Sequence, residues 1–248
     1  GFVTEGSTKP KSDLGVRTAS GVVMMSIAIT AIWLGGYVFM AMVVLVGFGV
    51  FYEFVKLVMG FVPSTLGQLV WTLGGLIYVG VACFALLLLS SPFFGMHPAI
   101  MLIAGVIGTD VGAYFAGRTV GGPKIAPQIS PSKTWSGLFG GMAGAGLMMN
   151  AVNHLAAWWN YDPEAPPDQQ AYAILAYDTW ELFSMGVAVA VIAQAGDFFE
   201  SGMKRRAGVK DSGRLIPGHG GLFDRTDGLI AVSFAAGIYT VVATMMKG

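Results

Sequence analysis

The charged residues of this chain concentrate in one short segment near its C-terminus. Between Asp197 and Asp227 stand six basic and five acidic residues, although only 11% of the chain is charged. The same segment contains the run PGHGG at residues 217–221, in which glycine allows backbone N–H groups to converge on an anion. Carboxylates beside bases can also hold Mg²⁺ against a polyphosphate. We therefore predict that this segment binds phosphate groups.

Several residues of this segment have more than one interpretation. Pro217 and the glycines that follow it also suit an ordinary turn. His219 either donates to phosphate or fixes the loop, and zinc is disfavoured because no His or Cys cluster accompanies it. Asp197, Glu200 and Lys204 are spaced three and four residues apart. If the preceding helix continues, these three side chains share one face.

A second polar segment lies earlier in the chain, over residues 108–137. Asp110 falls about one turn inside a predicted membrane boundary, where an ionisable side chain indicates a functional site. Asp178 and Glu181 raise the same question but are expected near the outer interface. The run SPSKTW supplies Trp135 for the headgroup level. It also supplies side chains that can contact phosphate or sugar, namely Ser130, Ser132, Lys133 and Thr134.

The elements that must position these residues follow from the composition. The chain is 54% hydrophobic, with a mean hydropathy of +0.67, whereas soluble domains are roughly 25% charged. Residues 18–52 and 57–109 contain no Asp, Glu, Lys or Arg. A membrane-spanning helix needs about 20 apolar residues, so these runs hold several spans. Because lipid forces backbone groups to pair within the chain, we predict an all-α, polytopic transmembrane helical bundle.

The apolar pattern predicts about seven spans, or eight to nine if some helices are short or broken. Gly35 and Gly36 separate the first two spans. The predicted organisation is a polar N-terminal segment (1–17), N-terminal spans (18–95) and a catalytic transmembrane domain (96–248). The predicted spans are 19–35, 37–55, 66–90, 98–116, 136–158, 171–195 and 228–246.

The distribution of charge between loops predicts the orientation of the bundle. The loops at 117–135 and 196–227 carry the bases, whereas the loop at 159–170 carries acids and no base. Because short cytoplasmic loops collect Lys and Arg, we expect the first two loops to face the cytoplasm. The expected location is a bacterial-type inner (plasma) membrane.

Glycine and cysteine in the spans favour packing over chemistry. Gly137 with Gly141, and Gly140 with Gly144, have the four-residue spacing that lets helices approach closely, within one chain or in a homodimer. Cys83 stands in an apolar run and is interpreted as a small buried side chain. A formal net charge of zero gives no indication of nucleic-acid binding.

Residues 201–227 resemble the signature of the phosphatidate cytidylyltransferases, also called CDP-diacylglycerol synthases. The segments DVGAYFAGR and ISPSKTW are also similar to this family, from about residue 110 onward. One position departs from the pattern: Ser136 stands where the family usually has Glu after Lys-Thr-Trp. The fixed signature positions are all matched, by Ser201, Lys204, Arg205, Lys210, Asp211, Pro217, His219, Gly220, Gly221, Asp224, Arg225 and Asp227.

The resemblance implies transfer of the cytidylyl group of CTP to phosphatidic acid among membrane lipids, with release of pyrophosphate. It implies that Asp197 and Asp224 hold Mg²⁺, and it leaves open a second cation such as K⁺. The implied catalytic residues are Lys204, Arg205, Lys210, Asp211, His219, Arg225 and Asp227. The implied substrate-binding residues are Asp110, Arg118, Ser132, Lys133, Thr134, Ser201, Gly220 and Gly221.

Two other functions stay open at this stage. A CTP-dependent polyprenol or phytol kinase belongs to a related membrane class, but transfers only the terminal phosphate. A transporter or channel would use Asp110, Asp178 and Glu181 along a pathway. A CDP-alcohol phosphotransferase is disfavoured because its paired-Asp helical pattern is missing.

Overall fold

The computed structural model of the protein describes residues 14–159, 164 and 177–247. In that part of the chain, seven helices and one short β-hairpin follow one another. The all-α fold class predicted from the composition is confirmed. The helices are α1 (Leu14–Leu34), α2 (Gly36–Phe61), α3 (Thr65–Leu89), α4 (His97–Thr119), α5 (Trp135–Trp159), α6 (Thr179–Arg206) and α7 (Phe223–Lys247), and the strands are β1 (Lys124–Ala126) and β2 (Ser130–Thr134).

Six of the described helices are long and apolar enough to cross a membrane, namely α1 to α4, α6 and α7. The chain is therefore a multi-pass membrane protein, as predicted. The helix at the remaining predicted span, α5, has 25 residues but is not among the six. Its glycines and its polar residues Asn150, Asn153 and His154 lower its mean hydropathy.

The helices on either side of the signature run further than the sequence indicated. Helix α6 continues to Arg206 and α7 already begins at Phe223, so the connection expected over 196–227 covers only 207–222. A helix pairs its own backbone groups and can therefore carry charged side chains beyond its apolar portion. The first residues of the predicted sixth span, 171–176, lie outside the described residues.

The remaining boundaries also differ in detail. Helix α1 begins at Leu14, inside the polar segment predicted for 1–17, of which residues 1–13 lie outside the described part. Most of the predicted acidic loop at 159–170 also lies outside it. The break at Gly35 is confirmed, since Gly35 and Gly36 have φ values of 59° and 48° that glycine adopts without strain.

The segment expected as a loop over 117–135 contains the β-hairpin. Strands β1 and β2 pair antiparallel, with Lys124 opposite Thr134 and Ala126 opposite Ser130. The hairpin leads directly into α5, where the Thr134 hydroxyl accepts a hydrogen bond from the Gly137 N–H at 3.1 Å. It therefore holds the SPSKT run in an extended conformation at the end of the bundle.

The glycine pairs of α5 mediate close packing within the chain. A Cβ atom added at Gly112 of α4 would lie 2.1 Å from the Gly140 carbonyl oxygen, and one added at Gly144 would lie 2.3 Å from that of Gly108. Such distances leave no space for a side chain, so the backbones of α4 and α5 touch. This contact confirms the packing interpretation and fixes Asp110 of α4 relative to the hairpin.

A buried aromatic cluster joins α2 to the helices that carry the signature. The Phe54 ring lies 6.1 Å from that of Phe223 and 6.4 Å from that of Phe199, measured between centroids. Phe54 and Phe223 are almost fully buried. Between helices in lipid, such contacts stabilise through van der Waals packing. The neighbouring residue of α2, Glu53, is thereby placed beneath the signature loop.

Candidate active site

Lys204 lies between two carboxylates. Its Nζ is 2.5 Å from Glu200 Oε2 and 2.7 Å from Asp224 Oδ1. The exposed fraction of the side chain is 15% for Lys204, 1% for Glu200 and 9% for Asp224. Glu200 and Lys204 share one face of α6, as the spacing indicated. In this arrangement protein carboxylates already neutralise the ammonium group of Lys204. We refer to these three residues as the lysine cluster.

Asp224 also organises the loop that precedes it. Its Oδ2 accepts hydrogen bonds from the Ser212 N–H at 2.9 Å and the Gly221 N–H at 2.8 Å. The Asp224 N–H donates in turn to Ser212 Oγ at 3.3 Å. The carboxylate lies in the first turn of α7, where the helix dipole favours negative charge. Asp224 therefore holds the loop against α7 at two positions, Ser212 and Gly221.

The N–H groups of the PGHGG run are directed partly into the protein. The Gly221 N–H donates to Asp224, and the His219 N–H donates to the Ile216 carbonyl oxygen at 3.1 Å. Arg225 donates through Nε and Nη2 to the His219 carbonyl oxygen, at 3.2 and 2.8 Å. These two N–H groups are therefore not free to bind a phosphate.

Glu53 of α2 supports this loop from below and was not identified from the sequence. It is fully buried, and its Oε2 accepts from Ser212 Oγ and from the Phe223 N–H, both at 2.9 Å. A Cβ atom added at Gly213 or Gly221 would lie 2.1 or 2.3 Å from a Glu53 carboxylate oxygen. A Cβ atom at either position would therefore displace the Glu53 carboxylate from its hydrogen bonds. The available signal was the isolated acid in a long apolar run.

Replacing Glu53 with Leu is expected to lower the free energy of unfolding by about 2–4 kcal/mol, because two buried donors lose their acceptor. Glu53→Gln keeps an oxygen for both bonds and should retain most of the stability. Thermal unfolding in detergent, followed by tryptophan fluorescence, measures the difference. Equal stability of the two variants would show that Glu53 does not hold the loop.

A second acidic group lies between α4, α6 and α7. Asp110, Asp197 and Asp227 border one small cavity together with Lys133, which forms an ion pair with Asp197. The cavity measures about 20 Å³, enough for one water molecule or small ion. Ser201 Oγ donates to Asp197 Oδ1 at 3.3 Å. We refer to the three aspartates as the aspartate cluster, in which three carboxylates face one lysine.

A polar cleft of about 390 Å³ opens next to the aspartate cluster. Asp110 and Lys133 border both spaces, together with Gln194 of α6. The Arg118 guanidinium donates to the Tyr114 hydroxyl at 2.6 Å and lies over its ring. The structure therefore brings together five residues predicted to bind substrate, namely Asp110, Arg118, Ser132, Lys133 and Thr134.

Residues 61–244 match the sequence profile of the Cytidylyltransferase family. The chain belongs to this family. Phosphatidate cytidylyltransferases of Brucella suis and Rickettsia bellii are 32% and 33% identical to it, over 90% and 93% of this chain and 91% and 94% of those proteins. The enzyme of the same name from Rickettsia conorii is 32% identical over 96% of this chain and 93% of its own length.

The cytidylyltransferase signature is divided between the two acidic groups. Asp224 and Lys204 belong to the lysine cluster, whereas Asp197 and Asp227 belong to the aspartate cluster. The two residues predicted to hold one metal ion, Asp197 and Asp224, therefore contact different partners. In residues 14–159 and 177–247, no three His, Cys, Asp or Glu side chains form a group that could hold a metal ion by themselves.

Other signature residues lie at the surface of the site. Arg205 donates through Nε to the Ile129 carbonyl oxygen at 3.3 Å and so joins α6 to the hairpin. Lys210 and Asp211 are exposed on the loop. The departure at Ser136 has a local role, since its hydroxyl donates to the Gly121 carbonyl oxygen. No acid stands at this position of the cytidylyltransferase.

Two contributors to the site precede the matched region. Glu53 of α2 supports the loop, and Ser20 of α1 lies 2.8 Å through its Oγ from His219 Nδ1. Both residues come before residue 61, where the family match begins. The site is therefore completed by helices that the family profile does not cover.

Proposed function

We propose that the protein transfers the cytidylyl group of CTP to the phosphate of phosphatidic acid, giving CDP-diacylglycerol and pyrophosphate. The observation that carries this proposal is the polar cleft beside the aspartate cluster, at the end of a membrane-spanning bundle. Such a site can receive a nucleotide from water and a lipid headgroup from the bilayer. The names of the bacterial relatives support the same reaction.

The chemistry requires charge control more than a strong base. A phosphomonoester has its second pKa at about 6 and is mostly ionised at neutral pH. An oxygen of the lipid phosphate attacks the α-phosphorus of CTP, and the bond from that phosphorus to the bridging oxygen of the β-phosphate breaks. The obstacle is repulsion between the anionic substrates. Positioning and electrostatic stabilisation by the protein lower the barrier.

The bases around the cleft are suited to this task. Lys133 and Arg118 border the cleft, where we assign them to the phosphates of CTP. Arg205, Lys210 and Arg225 are exposed near the loop, where they can offset the charge of the lipid phosphate and of pyrophosphate. Their share of the stabilisation is electrostatic and falls with ionic strength.

The aspartate cluster fits Mg²⁺ in its donor chemistry. Mg²⁺ prefers oxygen ligands and usually combines one or two carboxylates with waters and substrate phosphates, so it does not require a closed protein cage. The three carboxylates of the aspartate cluster supply such donors at the edge of the polar cleft. We propose that Asp197, with Asp110 and Asp227 beside it, holds Mg²⁺, which neutralises charge on the CTP phosphates.

Asp224 fits a metal less well in this conformation because its side chain is 9% exposed, against 27% for Asp197. Asp197 is also paired, through Lys133 and Ser201. One of the Asp224 oxygens pairs with Lys204, and the other accepts two backbone N–H groups. A second cation such as K⁺ at the lysine cluster would have to displace the ammonium group of Lys204. We therefore assign Asp224 to holding the loop and Lys204.

The orientation follows from the loop charges. We propose that residues 117–135 and 207–222 face the cytoplasm of a bacterial plasma membrane, because they carry the bases and because CTP is cytoplasmic. We also propose a homodimer. The glycine pairs of α5 pack against α4 of the same chain, so they do not supply its interface. Asp178 and Glu181 are exposed at the start of α6. The Asp178 N–H donates to the Glu181 carboxylate at 3.3 Å, so the two residues cap the helix, and the proposal gives them no role in transport.

An apolar groove gives the lipid substrate a place beside the site. It measures about 560 Å³ and lies between α3, α6 and α7. A pocket of about 510 Å³ that carries Arg205 and Arg206 adjoins it, and Trp71 and Phe199 border both. We propose that an acyl chain of phosphatidic acid occupies the groove while its phosphate faces the arginines.

Replacing Gly74 with Leu is expected to raise the KM for long-chain phosphatidic acid about five- to tenfold, because the new side chain fills the groove. A Cβ atom at Gly74 meets nothing within 4 Å, so the bundle should tolerate the change. Gly80→Leu is the matched control, since Gly80 lies on the same helix, is equally open and does not border the groove.

The measurement is initial rate against phosphatidic acid in mixed micelles. The KM for CTP should stay unchanged, and the effect should shrink for dioctanoyl phosphatidic acid, whose chains reach less far. Equal KM values for the two variants would show that the acyl chain does not bind in this groove. The proposed reaction would not be affected by that result.

The reaction itself is tested with two labels in CTP. Purified protein, phosphatidic acid and Mg²⁺ are incubated with CTP labelled at the α- or the γ-phosphate. Cytidylyl transfer places the α-label in the lipid and the γ-label in pyrophosphate. A lipid kinase would place the γ-label in its lipid product, so polyprenol and phytol are tested alongside. Absence of α-label from lipid in the intact protein would overturn the proposal.

A further inference from the structure

Helix α1 contacts the bundle through one narrow stripe. Ala31 is its only buried residue among those whose burial is described, and the half-buried residues are Ser20, Gly21, Met24, Ala28 and Ile32. These residues are spaced along one face of the helix. The first turns of this stripe lie against the signature loop. The cytoplasmic end of α1 is therefore part of the surroundings of the site.

The contact with the loop is specific and polar. Ser20 Oγ lies 2.8 Å from His219 Nδ1, and it also donates to the Arg17 carbonyl oxygen at 3.1 Å. A Cβ atom added at Gly218 would lie 2.9 Å from Arg17 Cγ, so α1 and the loop touch here. A serine hydroxyl has one hydrogen. The Arg17 carbonyl oxygen and His219 Nδ1 are both within reach of that hydrogen, so the direction of the Ser20–His219 hydrogen bond is set by the ring tautomer.

The backbone around His219 is already fixed without α1. The His219 N–H donates to Ile216, and the His219 carbonyl oxygen accepts from Arg225. Rotation of the imidazole ring is therefore the remaining freedom at this residue. The contact with Ser20 removes it and determines that Nδ1 is the nitrogen bound to protein.

We propose that Ser20 is a positioning residue for cytidylyl transfer: it holds Nδ1 of His219 and leaves Nε2 as the nitrogen for a substrate phosphate oxygen. This inference rests on the proposed function. A hydrogen bond that selects one ring nitrogen of a histidine also orients the other. In the tautomer whose Nδ1 accepts from Ser20 Oγ–H, the ring hydrogen is on Nε2, which donates to an anion.

Gly21 keeps the second ring nitrogen open. A Cβ atom added there would lie 3.4 Å from His219 Cε1 and 3.6 Å from Nε2. These are ordinary contact distances, so alanine fits, whereas a larger side chain would extend over Nε2. Ser20 and Gly21 therefore act together on the two nitrogens of one ring.

The activity test compares three serine variants in the full-length protein. Ser20→Ala should lower kcat about five- to tenfold, with KM for CTP unchanged, because one orienting hydrogen bond is lost. Ser20→Thr keeps the hydroxyl and should restore most of the rate. Ser26→Ala is the matched control, since Ser26 is exposed on the same helix, and it should behave as the parent protein.

A spectroscopic test separates positioning from simple support. The chain has three histidines, so ¹⁵N-histidine labelling in micelles gives a simple imidazole spectrum, assigned by comparison with His219→Gln. Ser20→Ala should change the Nδ1 and Nε2 shifts of His219, and Ser26→Ala should not. Gly21→Leu should leave the Nδ1 contact in place and still lower kcat.

The proposal is overturned if Ser20→Ala turns over as fast as Ser26→Ala, if Ser20→Thr fails to rescue, or if the His219 signals are the same in all serine variants. If a Ser20 variant does not fold, Gly21→Ala and Gly21→Leu test the proposal in its place. Only Gly21→Leu should lose activity, and equal activity of the two would also overturn the proposal. The imidazole spectrum does not depend on the reaction catalysed. Failure of the proposed function would therefore leave the spectroscopic result intact, and the two failures are distinguishable.

Discussion

Replacing Asp197 with Asn is expected to lower kcat for CDP-diacylglycerol formation by about a thousandfold, as loss of an electrostatic group at the reacting charges commonly does. Asp197 pairs with Lys133 and lies in the aspartate cluster with Asp110 and Asp227. Asparagine keeps the shape and an oxygen for Ser201, and it removes only the charge. The expected loss therefore lies in cation and phosphate binding.

The stability of this variant should move in the opposite direction. The aspartate cluster has three carboxylates and one lysine, and like charges in one site repel. Asn at position 197 relieves part of that repulsion, so the melting temperature should stay equal to that of the parent protein or rise. Strained or like-charged groups retained at the expense of stability are typical of functional sites.

Two measurements on Asp197→Asn check the prediction. Initial rates with α-labelled CTP at increasing Mg²⁺ give kcat and the concentration of Mg²⁺ required, which should rise if Asp197 holds the ion. Tryptophan fluorescence during heating gives the melting temperature. A variant with normal turnover would exclude Asp197 from the site, and one that is inactive because it is unfolded would assign the residue to structure.

The sequence predicted the bundle well because membrane insertion is a strong constraint. Long uncharged runs must become helices in lipid, and a glycine pair was sufficient to place the break between α1 and α2. The ends of α6 and α7 were misplaced because Asp197 and Glu200 were taken as the start of a loop. Inside a bundle, a carboxylate can continue a helix when a facing lysine neutralises it, and that partner is not visible locally.

The site was predictable where its residues are close in sequence. The signature segment and the SPSKTW run were both identified, whereas the contact between Lys133 and Asp197 was not. Glu53 and Ser20, which support the loop, were not identified from the sequence. Their partners are far away in the sequence, so no local pattern predicts the contacts. Ser212 is 159 residues from Glu53, and His219 is 199 residues from Ser20. Which acid meets which base is decided by helix packing, so the division into two acidic groups required the structure.

Replacing Asp224 with Asn should abolish activity and also destabilise the protein, in contrast to Asp197→Asn. The carboxylate accepts from Ser212 and Gly221 and pairs with Lys204. An amide replaces one acceptor by a donor and leaves Lys204 with Glu200 alone. Breaking a mostly buried pair and its hydrogen bonds should lower the free energy of unfolding by about 3 kcal/mol.

A double-mutant cycle with Lys204 distinguishes an anchoring role of Asp224 from a purely chemical one. If Asp224 fixes Lys204, then Lys204→Met and Asp224→Asn should be less than additive in stability, with a coupling of about 1 kcal/mol or more. Asp211→Asn is the control, because it removes one negative charge from an exposed position of the loop that Asp224 holds. It should change the free energy of unfolding by less than about 0.5 kcal/mol. Full additivity would show that Asp224 does not fix Lys204, and an Asp224→Asn variant as stable as Asp211→Asn would show that it does not anchor the loop. In that case its carboxylate would be free for a cation, and the assignment of Mg²⁺ to the aspartate cluster would have to include it.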